Sequence, residues 1–216
     1  LHRVEQLGRL IGIDPAPEPF VWTAPEHDKR ALELLPFDER PLLVVGPSAN
    51  WIGKTWQPER FAETIGKLRS VGGVLEDAHV LLVGAPNERD ASEPVIASIP
   101  ENRRTEIFGN EHLLTVMACL RRADLYVGND SGLMHMAAAS GKPTIGLFGP
   151  SRDEHYRPFA KWGRAVRTDW SYDKIIENRT SRFSKEVLMD TLPVDKVVLA
   201  AEELMAEYRM EEGTHG

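Results

Sequence analysis

The strongest constraint on how this chain folds is an alternation, from Pro41 to Phe148, of short apolar runs with segments of helical period. Leu42-Leu43-Val44-Val45 reads as a buried strand, and Pro58 to Ser70 then spaces Phe61, Ile65 and Leu68 along one helical face, with Pro58 suited to a first turn. Val80-Leu81-Leu82-Val83 is a second strand, closed by Gly84 and followed by a helix from Ala91 to Ile99. The cycle continues with a strand at Thr105 to Phe108, a helix from Glu111 to Arg122 and a strand at Leu125 to Val127. A helix from Leu133 to Ser140 and a strand at Thr144 to Phe148 complete it. Parallel strands require crossover connections, which helices supply, so the pattern predicts an α/β fold: a Rossmann-like parallel sheet with helices on both faces.

The flanks differ. Residues 1–40 carry Pro15, Pro17, Pro19, Pro25 and Pro36 and one short helical pattern, Val4-Leu7-Leu10-Ile11, which predicts a helix followed by an extended linker. Past Gly149-Pro150 the periodicity weakens, and residues 169–190 read as a polar loop insertion. Pro193 then opens a long amphipathic helix marked by Val194, Val197, Val198, Ala201, Leu204, Met205 and Tyr208. The expected organisation is a linker over 1–40, a sheet domain over 41–192 and a terminal helix and tail over 193–216. A leucine at position 1 suggests chain upstream.

Composition narrows the partners. Of 216 residues, 33 are acidic and 26 basic, a net charge of -7 that argues against a broad nucleic-acid-binding face, which needs clustered Lys and Arg. The basic pairs Arg103-Arg104 and Arg121-Arg122 read as solvated helix or loop ends, with a local phosphate site left open. The single cysteine, Cys119, excludes an intramolecular disulfide framework and a Cys-based zinc site, and its apolar surroundings predict a buried, inert thiol. No apolar run is long enough to span a bilayer, and no signal-peptide core follows Leu1.

In open parallel sheets, ligands bind beyond the carboxyl ends of the strands, so the loops that follow the strands carry the chemistry. Gly128-Asn129-Asp130-Ser131-Gly132-Leu133-Met134-His135 joins a strand to a short alanine-rich helix; its small residues would let an anion approach the helix N-terminus, while Asp130 or Ser131 could equally cap the helix. Asp130 would repel a phosphate placed directly beside it and is better suited to accept hydrogen bonds from sugar hydroxyls. His135, one turn on, reads either as structural or as part of the site. The loop Gly46 to Trp56 contains Gly53-Lys54-Thr55, yet Ser48 stands where a P-loop requires its first glycine. Lys54 remains either a solvated lysine or a counter-charge for a diphosphate. In the loop Gly84 to Asp90, Asn87 and Glu88 could read a ribose or base edge, or simply lie at the surface. No Gly-x-Gly-x-x-Gly fingerprint supports a nicotinamide or flavin, and no histidine pair has metal-ligand spacing.

The string Gly128 to Ala139, with Gly141-Lys142-Pro143-Thr144 and Leu147-Phe148-Gly149-Pro150, resembles the ADP-heptose lipopolysaccharide heptosyltransferases, glycosyltransferase family nine. Lys54-Thr55-Trp56-Gln57-Pro58-Glu59-Arg60-Phe61 is similar to the family's Lys-x-Trp-Pro-x-x-x-Phe segment, and the likeness runs over about residues 41–168. Gln57 departs from the family's proline, and the Asn50 to Gly53 loop is built differently. The resemblance implies the C-terminal, donor-binding half of a GT-B enzyme, with residues 1–40 as the end of an acceptor domain and its linker, and the final helix bracing that first domain.

The resemblance further implies that Ser48, Lys54 and the backbone amides of Ser131, Gly132 and Leu133 hold the donor diphosphate, with Asp130 on the sugar. The catalytic carboxylate would belong to the preceding domain, leaving Lys54 here as leaving-group stabiliser. The implied reaction is inverting transfer of heptose or a similar sugar from an ADP-sugar to a lipid-anchored lipopolysaccharide core saccharide, without cofactor or metal, in the cytoplasm or at the inner face of the inner membrane. The alternatives are a non-catalytic nucleotide-binding module and a nucleotide-sugar epimerase or hydrolase on the same fold.

Overall fold

A computed structural model describes residues 1–35, 39–177 and 188–214. Its centre is a six-stranded, wholly parallel sheet built from β1 (Leu42–Gly46), β2 (His79–Gly84), β3 (Arg104–Phe108), β4 (Leu125–Asn129), β5 (Thr144–Phe148) and β6 (Gly163–Arg167), in the order β3-β2-β1-β4-β5-β6. The chain builds outward from β1 to one edge, then crosses back to start β4 on the other side of β1. β1, β4 and β5 are buried along their whole length, as expected of strands covered on both faces, whereas the edge strands β3 and β6 carry Arg104, Glu106, Arg164 and Arg167.

Helices pack on each face: α1 (Arg3–Leu10), α2 (Pro25–Leu34), α3 (Pro58–Arg69), α4 (Glu93–Ala97), α5 (Leu113–Leu120), α6 (Gly132–Ala139), α7 (Asp153–Tyr156), α8 (Tyr172–Glu177) and α9 (Val194–Thr214). One core lies under α3, α4 and α9 and includes Leu43, Trp56, Phe61, Ile96, Val197 and Leu204. The opposite core lies under α2, α5 and α6 and includes Val44, Leu81, Cys119, Tyr126, Met134 and Phe148. Burial pushes the Cys119 thiol up to about 11, the behaviour of an inert core cysteine.

The elements expected between Pro41 and Phe148 form, and the differences lie where apolar periodicity is thin. Residues 1–40 contain a second helix rather than only a linker: Pro25, read as linker composition, is the opening residue of α2, which buries Ala31 against α5. The helix expected from Ala91 to Ile99 shortens to α4, preceded by a 3₁₀ turn at Asp90–Ser92. β6 was hidden because an edge strand alternates arginine with small residues and fully buries only Val166. Within 169–190, residues 172–177 form α8, while 178–187, like Pro36, lie outside the described residues.

The basic pairs are tethers rather than solvated ends. Arg121 donates to Thr23 Oγ1 and to Val21 O and lies over the Phe20 ring, while Arg103 pairs with Asp77 and Arg104 with Glu106. The apolar residues Leu7, Leu10 and Ile11 of the first helical pattern face solvent. α9 packs its apolar stripe on α3 and β6. Among the described residues, no helix is long and apolar enough to cross a membrane.

Candidate functional site

The strand order reverses between β1 and β4, and the loops that follow these two strands diverge to leave a crevice at the carboxyl edge of the sheet. A pocket of about 820 Å³ occupies it. Ser48, Asn50 and Lys54 reach it from the loop after β1, Gly84 and Glu88 from the end of β2 and its loop, and Asp130, Ser131, Gly132, Leu133, His135 and Met136 from the turn into α6. Eight of the nine residues expected from the sequence therefore converge. A smaller cavity of about 590 Å³, between Ala16, Glu18 and the β6 edge, contains none of them.

Asn129 and Trp56 set the geometry. Asn129 is fully buried at the end of β4; its Oδ1 accepts from the Trp56 amide at 3.0 Å and its Nδ2 donates to Pro47 O at 3.0 Å. The side chain of Trp56 is fully buried edge-on to Phe61, and its Nε1 donates to Leu192 O at 3.1 Å. These bonds hold both ends of the β1 loop against β4, and a 3₁₀ turn, Ile52–Lys54, delivers Lys54 to the pocket. Gln57, the departure from the family pattern, donates to Asp190, tying this segment to the start of the last helix.

Lys54 Nζ donates to Asp130 Oδ2 at 2.6 Å, and Asp130 is only 7% exposed. The pair neutralises a carboxylate that would otherwise be buried unpaired, and it fixes the ammonium at the mouth of α6. Ser131, the N-cap residue of α6, makes no side-chain cap bond, and Asp130 is engaged with Lys54, so the amides of the first helical turn keep no side-chain partner. An exposed helix start beside a lysine is a site for an anion, by hydrogen bonding and by helix dipole. A Cβ added at Gly132 would point into open space, so the glycine leaves this side of the pocket unobstructed. His135 keeps contact with solvent on the pocket side, while burial of the ring lowers its pKa below the usual histidine value; Asp130 opposes the shift and Lys54 adds to it.

Of the expected residues, one is engaged by a neighbour and one lies outside the pocket. Ser48 lines the pocket, but its hydroxyl donates to Glu88 Oε2 at 2.7 Å, so in this arrangement its one proton is not available to a phosphate. Asn87 is exposed and outside the lining, because Glu88 folds back to accept from the Ala85 amide at 2.8 Å and the resulting 3₁₀ turn, Pro86–Glu88, directs Asn87 outward. Sequence reasoning missed Leu113, Met136, Gly109 and Tyr156, which complete the walls. Gly109, at φ +74 in close contact with the Pro86 ring, is a position only glycine fits, a signal available in the Phe108-Gly109-Asn110 turn. Leu113, 57% exposed at the first turn of α5, stands where a solvated face would be polar.

A doubly wound sheet with a helix start and a Lys–Asp pair at its switch point, the carboxylate buried and the ammonium half-buried, is an arrangement suited to phosphate-bearing ligands. The family follows from comparison: residues 11–185 match the model of glycosyltransferase family 9 (heptosyltransferase), and the chain belongs to that family. It is 26% identical over 186 residues to lipopolysaccharide heptosyltransferase 2 of Salmonella typhimurium, covering 82% of this chain and 52% of the relative. Among solved structures, a family 9 glycosyl transferase from Veillonella parvula matches with a TM-score of 0.78 at 22% identity, over 95% of this chain and 60% of the other. The E. coli ADP-heptose lps heptosyltransferase II matches with a TM-score of 0.71 at 20% identity, over 91% and 56%. The chain thus spans about half the length of the curated relatives it matches.

Proposed function

We propose that this chain is the donor-binding half of a heptosyltransferase, which transfers heptose or a similar sugar, with inversion, from an ADP-sugar to a lipopolysaccharide core acceptor. The observation that carries this reading is the Lys54–Asp130 pair at the uncapped start of α6. The donor diphosphate lies over the first turn of α6, within reach of the Lys54 ammonium. One of the three Nζ donors is used by Asp130 and the others turn to phosphate oxygens. As the glycosidic oxygen leaves, charge accumulates on the diphosphate, and the ammonium and helix amides are already oriented to receive it. Asp130 uses its second oxygen for a sugar hydroxyl. The ribose hydroxyls meet Glu88, and the base lies against Leu113, Leu133 and Met136.

The carboxylate that activates the acceptor hydroxyl comes from outside residues 1–216, and the lipid-anchored acceptor docks through that other half. The reaction uses no resident cofactor or metal and takes place on the cytoplasmic side, with any membrane association peripheral. Titration calorimetry with ADP tests the reading. Lys54→Ala is expected to weaken binding about tenfold or more, the scale of a lost charge-assisted hydrogen bond. Equal affinity in wild type and Lys54→Ala would remove Lys54 from the site.

A further inference from the structure

Tyr126 is buried in the middle of the sheet and plays no part in the function proposed above, yet its hydroxyl is placed at the underside of the same pocket. β4 pairs with β1 in parallel, setting Tyr126 beside Val44 and Gly128 beside Gly46. Side chains two apart on a strand share a face. The phenol therefore runs along the sheet toward its carboxyl edge across two positions that carry no side chain. A Cβ at either Gly46 or Gly128 would overlap the Tyr126 oxygen. Both glycines are thus required by the tyrosine, a costly arrangement for a group that only fills core volume, since phenylalanine would fill the same space without a polar atom.

The polar atom is also left open. Tyr126 Oη and Ser131 Oγ are both buried, and neither completes a hydrogen bond. Ser131 is nonetheless the neighbour that draws the phenol back down against the upward push of burial, which places the two hydroxyls next to each other. The net shift is upward, so near neutral pH Tyr126 is a protonated phenol that can donate. A buried hydroxyl without a partner costs stability, so this pair is a conspicuous deficit directly beneath the start of α6. Two adjacent hydroxyls satisfy each other only in part: one donates to the other, and the second is left with an O–H that needs an acceptor. Ser131 is the member that lines the pocket. Glu88, the carboxylate whose charge reaches the phenol, already takes the Ser48 hydroxyl and the Ala85 amide on its Oε2.

We propose that Tyr126 is a positioning residue of the donor site: its O–H bonds to Ser131 Oγ when a diphosphate enters, turning the Ser131 O–H onto a phosphate oxygen above α6. The inference rests on the reading of this pocket as a diphosphate site. Tyr126 itself touches no ligand; it determines which way the serine points, and Gly46 and Gly128 are the clearance that permits it.

Calorimetric titration of ADP into wild type, Tyr126→Phe, Ser131→Ala and the double variant, each also melted without ligand, tests this. Tyr126→Phe is expected to raise the ADP Kd about fivefold, the scale of one neutral hydrogen bond. Its melting temperature without ligand should be equal to or above that of wild type, because a buried unpaired hydroxyl has been removed. Ser131→Ala should show a loss similar to Tyr126→Phe, and the double variant no more than the larger single loss. Tyr126→Phe with wild-type ADP affinity and a lowered melting temperature would overturn the proposal, since the hydroxyl would then be serving the interior. Fully additive losses in the double variant would equally overturn it. Wild type that binds no ADP would overturn this proposal together with the diphosphate reading, whereas wild-type binding unchanged in Tyr126→Phe overturns the relay alone.

Discussion

Asn129 illustrates how one side chain can determine where a site's charge lies. It contacts no open part of the pocket, but its two bonds fasten the β1 loop at Pro47 and at Trp56, on either side of Lys54. Asn129→Ala would leave a buried amide and a buried carbonyl without partners, at a cost of about 2–3 kcal/mol. In a chain of this size that lowers the melting temperature by roughly 5–10 °C. Thermal unfolding followed by circular dichroism measures it, and a loss below about 0.5 kcal/mol would show that the loop is held by other means. The neighbouring residues divide the remaining work. Asp130 fixes the ammonium, Gly132 leaves the helix start unobstructed, and desolvation lowers the pKa of His135 against the opposing pull of Asp130.

The strands from β1 to β5 and the helices α3, α5 and α6 are legible in the sequence because each is a local pattern: an apolar run for a strand buried on both faces, or a period-3.6 stripe for a helix covering one. The β4–α6 turn is legible for the same reason, its small residues being contiguous. What was not legible depends on neighbours distant in sequence. The Ser48–Glu88 bond joins loops after two different strands, the Asn129 clamp links residues more than seventy positions apart, and the Tyr126 hydroxyl is defined by a glycine on another strand. β6 and α2 escaped notice because edge strands and partly exposed helices need few apolar residues.

At the element scale, α9 tests the packing account. Its Leu204 is 2% exposed in the core shared with α3, so Leu204→Ala is expected to cost about 2–4 kcal/mol, read from denaturant unfolding. ADP affinity should stay within about twofold of wild type, because α9 lies away from the crevice; a larger loss would mean that the helix shapes the site.

At the scale of the molecule, the chain spans about half the length of the curated relatives it matches. Its net charge of -7 sits on a surface where Arg30, Arg103, Arg164 and Arg167 are tied into ion pairs, while the pocket sets Lys54, already paired with Asp130, beside a helix start whose amides can receive an anion. This contrast suits a domain that takes up a small anionic ligand rather than a polyanion. Family membership and the doubly wound sheet supply the framework, and the crevice between β1 and β4 is where the proposed donor site lies. The most direct measurement of the central claim is a crystal structure of the protein with ADP. The account predicts the diphosphate over the first turn of α6, with a phosphate oxygen within hydrogen-bonding distance of Lys54 Nζ and the base against Leu113 and Met136. ADP seated elsewhere, or a diphosphate turned away from both Lys54 and the α6 amides, would contradict it.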